Sequence, residues 1–282
     1  MDFYIIIPAH NEEDTIGLTL ESLVKQTLLP KRIVVVNDNS SDNTPQVISK
    51  YVKKYNWISS ENISTSNEHI PGAKIINAFY KGLESLDDNF DIICKYDADI
   101  IFPNNYIDSI AKLFKNDPKI GIASGIPFIK KNNTWVFETI ASKNHVRGPI
   151  KSYRKECFNE IGGLKKSVGW DSIDVLLAQY YGWKIQTDKN LHVKHLKPTG
   201  KTYGKNTKHL RGEALYKMRF GFLLMVIATL KSAFNKKQVS YFSNSIIGYF
   251  KAKKENQPFL VNEEQGKFIR QLHWNNIRKK IF

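Results

Sequence analysis

The sequence predicts an α/β protein whose core is a mostly parallel β-sheet flanked by helices, followed by a C-terminal helical extension. Short apolar runs at 3–7, 33–36, 92–96 and 120–123 have the length and composition of strands that are buried on both faces. Segments with the apolar spacing of helices separate these runs. Strands that alternate with helices form βαβ units, and such units build parallel sheets.

The segments between the strands contain recognisable helix starts. Asn11 and Asp14 have the spacing of a capping box before the first helix. Thr44 and Pro45 are suited to the N-cap and first position of the second helix. Between about 126 and 200 the pattern is irregular apart from one helix. The later helices are predicted over 73–85, 103–115, 171–181, 206–235, 239–253 and 262–280.

Composition excludes several classes of protein. A chain of 282 residues with 41% hydrophobic and 12% aromatic residues can bury a large core, which argues against disorder. The two cysteines, Cys94 and Cys157, belong to no CxxC motif, so neither a structural zinc site nor a disulfide framework is indicated. No signal peptide is predicted, and the longest apolar run, 220–230, is shorter than the about 20 residues that span a bilayer. We therefore expect a cytoplasmic protein.

The net charge of +15 is concentrated in the C-terminal region. Residues 1–195 contain 24 Lys+Arg and 23 Asp+Glu, whereas 196–282 contain 18 and 4. Such asymmetry indicates an acidic partner, either nucleic acid or an anionic membrane. The alternative is a solvated basic surface that only aids solubility.

Ligands of parallel α/β sheets bind outside the carboxyl ends of the strands. Here these ends lead into 8–12, 37–42 and 97–99, all rich in polar or acidic residues. No glycine-rich dinucleotide fingerprint or P-loop is present there, which disfavours both classes of enzyme. In extended backbone, Asp97 and Asp99 would face the same side and could hold one divalent cation, although a lone Asp-x-Asp is a weak signal.

Four further residues have both a structural and a functional interpretation. Asp38 is either part of a polar turn or a hydrogen-bond acceptor for a base or ribose. Asp171 and Asp174 are either the acidic start of a helix or catalytic carboxylates. His195 can be a metal ligand only if the fold brings it close to the Asp-x-Asp triplet.

Seven short stretches, taken in order, match one known family: 7–13, 37–44, 72–77, 97–99, 153–158, 161–164 and 169–174. On these stretches the chain resembles the family 2 glycosyltransferases, which share the GT-A fold, a Rossmann-like α/β fold. The resemblance covers about residues 3–200. It implies a GT-A catalytic domain over 1–200, followed by a basic, mainly helical region over 201–282.

The resemblance also implies which residues bind the donor. The residues expected to hold the nucleotide are Pro8, Ala9, His10, Glu12, Asp38, Lys74 and Asp97. Asp99 and His195 would bind a divalent cation, manganese or magnesium, on the donor diphosphate. Further positive charge near the diphosphate is a guess from sequence position, with Arg154, Lys197 and Lys201 as candidates.

The chain departs from the family at the catalytic base. Where the family has a Glu-Asp pair, this chain has Asp171-Ser172, and a serine cannot act as a base at neutral pH. The role is therefore assigned to Asp171, with Asp174 in reserve. The Gln-x-x-Arg-Trp motif of processive synthases is also missing, which favours an enzyme that adds one sugar at a time.

These observations predict an inverting glycosyltransferase, acting on a nucleotide-diphospho-sugar of UDP type and a glycan or lipid-linked acceptor in cell-surface polysaccharide synthesis. Basic residues flank the apolar segment 220–230, so this helix either lies on the inner face of an anionic membrane or packs on the core or a second subunit. No nucleic acid is expected. The alternatives are a non-catalytic relative that binds nucleotide, membrane or nucleic acid, and a sugar-phosphate nucleotidyltransferase, whose glycine-rich loop is absent.

Overall fold

The computed structural model describes residues 1–64, 72–139, 142–198 and 208–281. The chain divides into two compact units. The first, which we call the sheet unit, comprises Met1–His69, Lys74–Leu164 and Tyr181–Lys201. The second, the helical unit, comprises Ile70–Ala73, Lys165–Tyr180 and Thr202–Phe282. The domain boundary predicted at residue 200 stays a prediction.

The described residues form one nine-stranded sheet and ten helices. The strands are β1 (Phe3–Ala9), β2 (Arg32–Asp38), β3 (Ile58–Ile63), β4 (Ile92–Tyr96), β5 (Ile100–Ile101), β6 (Ile120–Lys131), β7 (Thr134–Phe137), β8 (Ile150–Arg154) and β9 (Lys184–His195). The helices are α1 (Ile16–Val24), α2 (Thr44–Lys54), α3 (Ala73–Glu84), α4 (Tyr106–Asn116), α5 (Lys155–Glu160), α6 (Trp170–Tyr180), α7 (Leu210–Lys217), α8 (Phe222–Lys236), α9 (Val239–Lys254) and α10 (Glu263–Ile281).

The sheet has the strand order β3-β2-β1-β4-β8-β6-β9-β5, and β7 pairs with β6. Strands β2, β1 and β4 are parallel, as predicted, and β3, which was not predicted from the sequence, pairs parallel with β2. Beyond β4 the sheet is mixed, because β8 lies antiparallel between β4 and β6, whereas β9 is parallel to β6. The predicted α/β class is thus confirmed, and the segment that looked irregular in sequence supplies β7, β8 and β9.

The central strands explain the unbroken apolar runs. Ile5 and Ile7 of β1 pack into one core together with α1 and α4, whereas Tyr4 and Ile6 are buried on the opposite face. All four side chains are fully shielded from solvent. A strand that is covered on both faces has no polar side to alternate with, which is why its sequence shows no period of two.

The helix starts differ from the predictions at three places. Helix α1 begins at Ile16, because the carbonyl of Glu12 accepts the first turn's N–H groups, and Asn11 does not cap it. Asn43 rather than Thr44 is the N-cap of α2. Helix α4 begins at Tyr106, whose N–H donates to the carbonyl of Pro103 at 2.9 Å, so the proline opens a turn before the helix.

In the helical unit, two helices occur where the sequence predicts one. The pattern over 206–235 forms α7 and α8, and its first residues, 206–207, lie outside the described residues. Arg219 and Gly221 interrupt the pattern with left-handed backbone angles, φ 53° and 78°. Helices α9 and α10 agree with the predictions within a few residues. Within the ranges that the structure describes, no helix is both long and apolar enough to cross a membrane.

Candidate active site

The loops that follow β1 and β2 are hydrogen-bonded to each other. The N–H of Asn11 donates to Ser40 Oγ at 3.0 Å, and Asn11 Oδ1 accepts the N–H of Ser41 at 2.8 Å. The N–H of Glu12 donates to Thr44 Oγ1 at 2.7 Å. Asn11 has φ 54°, a left-handed conformation that asparagine tolerates better than most residues. The two loops therefore form one surface at the carboxyl edge of the sheet.

His10 and Asp38 meet on this surface. His10 Nδ1 lies 2.6 Å from the backbone carbonyl of Asp38. A carbonyl oxygen can only accept, so Nδ1 donates the proton in this contact. The sheet also aligns these residues, since Ala9 lies opposite Asn37 in the parallel β1–β2 pair. Two of the residues predicted to hold the nucleotide are thus adjacent.

Asp97 and Asp99 have different partners. Strand β4 ends at Tyr96 and the backbone turns at 98–99, so the argument from extended backbone, that both carboxylates face one cation, does not hold. The Asp97 carboxylate forms an ion pair with the buried Lys95. The Asp99 carboxylate accepts the N–H of Lys197 at 3.2 Å.

His195 lies directly beside Asp99. Strand β9 pairs antiparallel with β5, which places Ile100 opposite His195. As a result, His195 Nε2 is 3.4 Å from Asp99 Oδ2, and both residues are buried. The condition that the sequence set for His195, proximity to the Asp-x-Asp triplet, is met. On its other side, His195 Nδ1 lies 3.2 Å from Glu138 Oε2.

Two carboxylates surround the His195 imidazole. Burial by itself lowers the pKa of His195, because it disfavours the charged form, but the hydrogen bonds to Asp99 and Glu138 and the charge of Asp97 outweigh this effect. The net result raises the pKa from 6.5 to about 9. The two carboxylates therefore favour a proton on His195 when no cation is bound, and a cation that binds Nε2 would displace this proton.

The donor atoms suit an incomplete site for a divalent cation. Among the described residues, no group of three or more His, Cys, Asp and Glu side chains could hold a metal ion by itself. Asp99 Oδ2 and His195 Nε2 nevertheless converge, and a carboxylate oxygen is a preferred ligand of manganese and magnesium, whose shell phosphate oxygens and water would complete. The geometry fits a cation that binds together with a diphosphate.

A family model described as Glycosyl transferase family 2 matches residues 4–165. This chain belongs to glycosyl transferase family 2. It is 33% identical over 124 residues to a probable glycosyltransferase, YdaM, of Bacillus subtilis, and 28% identical over 162 residues to a poly-beta-1,6-N-acetyl-D-glucosamine synthase of Staphylococcus aureus. These stretches cover 43% and 57% of this chain but 28% and 34% of the relatives. The chain thus spans about a third of their length.

Solved structures confirm the GT-A fold. The TarS 1–349 fragment of S. aureus in complex with UDP-GlcNAc superposes with a TM-score of 0.58 at 20% identity, covering 80% of this chain and 66% of that one. The mannosyltransferase PcManGT of Pyrobaculum calidifontis, in complex with GDP-Man and Mn2+, gives 0.57 at 14% identity, covering 95% and 78%. At these identities the likeness shows the fold alone.

The three basic residues that were suggested to lie near the diphosphate differ in what the structure shows of them. Lys197 Nζ donates to Glu12 Oε2 at 2.6 Å, so Lys197 connects the β1 loop with Asp99. Arg154 lies at the opposite edge of the sheet, opposite Ile92 at the start of β4, and its guanidinium donates to backbone carbonyls, including that of Phe114 at 2.7 Å. The suggestion that Arg154 adds charge near the diphosphate is therefore wrong. Lys201 lies outside the described residues.

Three other predicted site residues lie on helices. Lys74 is the second residue of α3 and is partly exposed. Asp171 lies in the first turn of α6, and Asp174 is 1% exposed, with Oδ1 accepting the N–H of Val175 at 2.7 Å. Both aspartates belong to the helical unit. The nucleotide-binding role of Lys74 and the catalytic roles of Asp171 and Asp174 stay predictions.

Sequence reasoning missed four buried charged residues of the sheet unit. Glu138 and Arg147 form an ion pair of 3.1 Å next to His195. Lys95 and Lys151 lie opposite each other in the β4–β8 pair and are almost fully buried. The available signal was a single charge inside an otherwise apolar stretch, such as Lys95 in β4. Buried charges of this kind are rare without a partner.

Proposed function

We propose that this protein transfers single sugars from a nucleoside diphosphate sugar to a glycan or lipid-linked glycan, with inversion at the anomeric carbon and with the help of a divalent cation. The observation that best supports this proposal is the buried pair of Asp99 and His195 at the carboxyl edge of the sheet, with Lys197 adjoining it. A UDP-N-acetylhexosamine is the favoured donor, because the S. aureus synthase and the TarS complex carry N-acetylglucosamine in their names.

The loops that follow β1 and β2 would bind the nucleotide half of the donor. His10, Glu12 and Asp38 lie on one surface, and the hydrogen bonds between the loops fix the backbone around them. Asp97 would face the ribose, and Lys74 would contact the nucleotide from the start of α3. Because the loops bond to each other, little backbone entropy would be lost when the donor binds.

The second half of the site would stabilise the leaving diphosphate. A divalent cation held by Asp99 and His195 would act there as a Lewis acid that neutralises the growing negative charge. Asp99 Oδ2 is oriented for this role by the N–H of Lys197. The ammonium of Lys197, now bonded to Glu12, is within reach of the same region and would add positive charge.

The acceptor would react on the opposite face of the sugar. The Asp171 carboxylate takes the proton of the acceptor hydroxyl, the hydroxyl oxygen forms a bond to the anomeric carbon, and the bond from that carbon to the diphosphate breaks. The transition state has oxocarbenium character, as in glycoside hydrolysis. Asp171 is the better base of the two candidates, because Asp174 is almost completely buried.

Nucleotide binding tests the first half of this proposal. In a thermal-shift panel of nucleoside diphosphates, we expect one nucleotide to stabilise the protein in the presence of Mn2+, by roughly 2.7 kcal/mol at about 100 times its dissociation constant. Asp99→Asn should abolish the metal-dependent part of this shift. Asp108→Asn, which removes a partly exposed carboxylate on α4, should leave it unchanged. No shift with any nucleotide, or an undiminished shift in Asp99→Asn, would contradict the proposal.

One observation favours a second function, that of a non-catalytic relative that binds nucleotide or an anionic surface. Ser172 occupies the position where the family has its second acidic residue. The two functions differ in turnover, since only the enzyme releases nucleoside diphosphate from a sugar donor. Metal-dependent release of UDP from UDP-N-acetylglucosamine therefore distinguishes them.

We further propose that the helical unit rests on an anionic membrane surface through helix α8. This helix has two apolar faces. One is buried in the helical unit and contains Leu224, Met225 and Ala233. The other is exposed and consists of Phe222, Leu223, Leu230 and Phe234, with exposed fractions of 50%, 59%, 49% and 85%. The first face packs within the helical unit, which leaves the second face in need of a partner.

Charge indicates which partner suits this face. Lys231 and Lys237 are exposed beside it. Phe250 of α9 extends the apolar surface, since its ring lies 5.6 Å from that of Phe222, and Lys251 follows it. Apolar side chains bordered by lysines match the acyl and headgroup layers of an anionic bilayer, and each lysine near the surface contributes about 1 kcal/mol.

Flotation with lipid vesicles tests the membrane proposal. We expect the protein to bind vesicles that contain phosphatidylserine, to bind phosphatidylcholine vesicles weakly, and to dissociate at high salt, because ions screen the lysine charges. The double variant Leu230→Asn/Phe234→Ser should lose binding. Leu29→Ser, which changes an equally exposed leucine outside the helical unit, should retain it. Equal binding by all three proteins, or a dimer that only the double variant lacks, would refute the proposal.

A further inference from the structure

Four buried charged residues of the sheet unit form one linear array. His195 Nε2 lies 3.4 Å from Asp99 Oδ2, and His195 Nδ1 lies 3.2 Å from Glu138 Oε2. The same Glu138 oxygen is 3.1 Å from Arg147 Nη2. The four residues come from separate parts of the chain, and none is more than 7% exposed. Such an array requires the sheet to bring together residues that are far apart in sequence.

We infer that Glu138, held in place by Arg147, is a positioning residue that orients His195 to bind the cation of the sugar donor through Nε2. This inference rests on the proposed function, since it concerns how the same site is prepared for its cation. Neither Glu138 nor Arg147 touches the donor in this account. Both act through His195.

The direction of each hydrogen bond supports the inference. Arg147 can only donate, so Glu138 Oε2 is an acceptor in that contact. The same carboxylate then accepts the Nδ1–H of His195. With Nδ1 committed to this bond, the lone pair that could bind a cation belongs to Nε2, the atom that faces Asp99. A carboxylate that fixes tautomer and ring orientation in this way is a common outer partner of histidine ligands.

Energetics argue against a purely structural role. Glu138 is 1% exposed and Arg147 is 6% exposed, so both charges have lost their water. A buried ion pair rarely stabilises a fold more than apolar residues of the same size would, because desolvation offsets the attraction. The pair is better explained by what it does to the imidazole. Glu138 holds the ring at Nδ1, which keeps Nε2 directed towards Asp99.

The inference is tested by the affinity for Mn2+ in the presence of saturating UDP, measured by electron paramagnetic resonance of free Mn2+. Glu138→Gln should weaken Mn2+ binding about 10- to 100-fold. Glu138→Asp keeps the charge but withdraws the carboxylate from the ring, and it should weaken binding as well. Glu84→Gln, which changes an exposed glutamate at the end of α3, is the matched control and should bind Mn2+ like the wild type. Binding of UDP without metal should be the same in all four proteins.

A double-mutant cycle separates positioning from general damage to the fold. In the His195→Gln background, Glu138→Gln should change Mn2+ affinity by less than about twofold, because the residue through which Glu138 acts is gone. An equal loss with and without His195, or unchanged Mn2+ affinity in both Glu138 variants, would overturn the inference alone. Absence of Mn2+ binding to the wild-type protein with UDP and with GDP would overturn the inference together with the proposed cation.

Discussion

Replacing Asp171 by asparagine is expected to slow sugar transfer about 10²- to 10⁴-fold, the usual contribution of a general base. Asparagine has nearly the same shape, so it should keep the start of α6 intact, where Asp171 lies in the first turn. What it cannot do is accept the proton of the acceptor hydroxyl. The affinity for nucleoside diphosphate should therefore be unchanged, since the loops proposed to bind the nucleotide lie elsewhere in the chain.

The measurement is the single-turnover rate together with the thermal shift by nucleotide. Asp174→Asn serves as the comparison. Asp174 is buried and accepts a hydrogen bond from its own helix, so this variant should lose stability while keeping most of its rate. A full rate in Asp171→Asn with a lost rate in Asp174→Asn would reverse the assignment. Full rates in both would remove the helical unit's aspartates as bases altogether.

Replacing Gly212 by alanine is expected to lower the free energy of unfolding of the helical unit by about 3 kcal/mol, at the upper end of what overpacking costs. Helices α7 and α9 approach each other through glycine on both sides. A Cβ on Gly212 would lie 1.8 Å from the carbonyl oxygen of Ser245, and one on Gly248 would lie 2.0 Å from that of His209. Both obstacles are backbone atoms, which cannot move aside as a flexible side chain can.

The sign of this effect is informative, because helix propensity predicts the opposite. Alanine within a helix is normally favoured over glycine by about 1 kcal/mol. Thermal unfolding followed by circular dichroism would show which effect is larger. Gly221→Ala is the control in the same unit: its φ of 78° and ψ of 156° lie in a region that costs an L-residue about 1–3 kcal/mol, but the nearest atom to the new Cβ is 3.5 Å away. A melting temperature of Gly212→Ala at or above that of the wild type would refute the close helix contact.

Strands β1, β2 and β4 could be predicted because they are buried on both faces. That condition produces apolar runs which need no knowledge of tertiary contacts. Strand β9 was missed for the opposite reason. Buried and exposed positions alternate over its last five residues, and with Lys194 and other polar side chains it has no run of apolar residues. Its pairing with β6 is fixed by contacts about 60 residues away, which local patterns do not contain.

The site was predictable in its parts but not in its assembly. Asp99 and His195 were each recognised as candidates, yet only the β5–β9 pairing makes them neighbours. The capping box assigned to Asn11 is wrong, because Asn11 bonds to the β2 loop instead of to its own helix. Its N–H donates to Ser40 Oγ, and its Oδ1 accepts the N–H of Ser41. Glu138 was not recognised at all, because its hydrogen-bond partner His195 is 57 positions further along the chain.

The bonds between the β1 and β2 loops have a consequence for the engineering of donor preference. Each loop supplies acceptors for the backbone N–H groups of the other. The side chains of Asn11 and Glu13 accept the N–H groups of Ser41 and Asn43, respectively. The side chain of Asp42 accepts the N–H group of Glu13. A single loop transplanted from a relative would leave these groups without their counterparts. The two loops therefore constitute one exchangeable cassette. Chimeras that move both together should fold where chimeras that move either one alone do not.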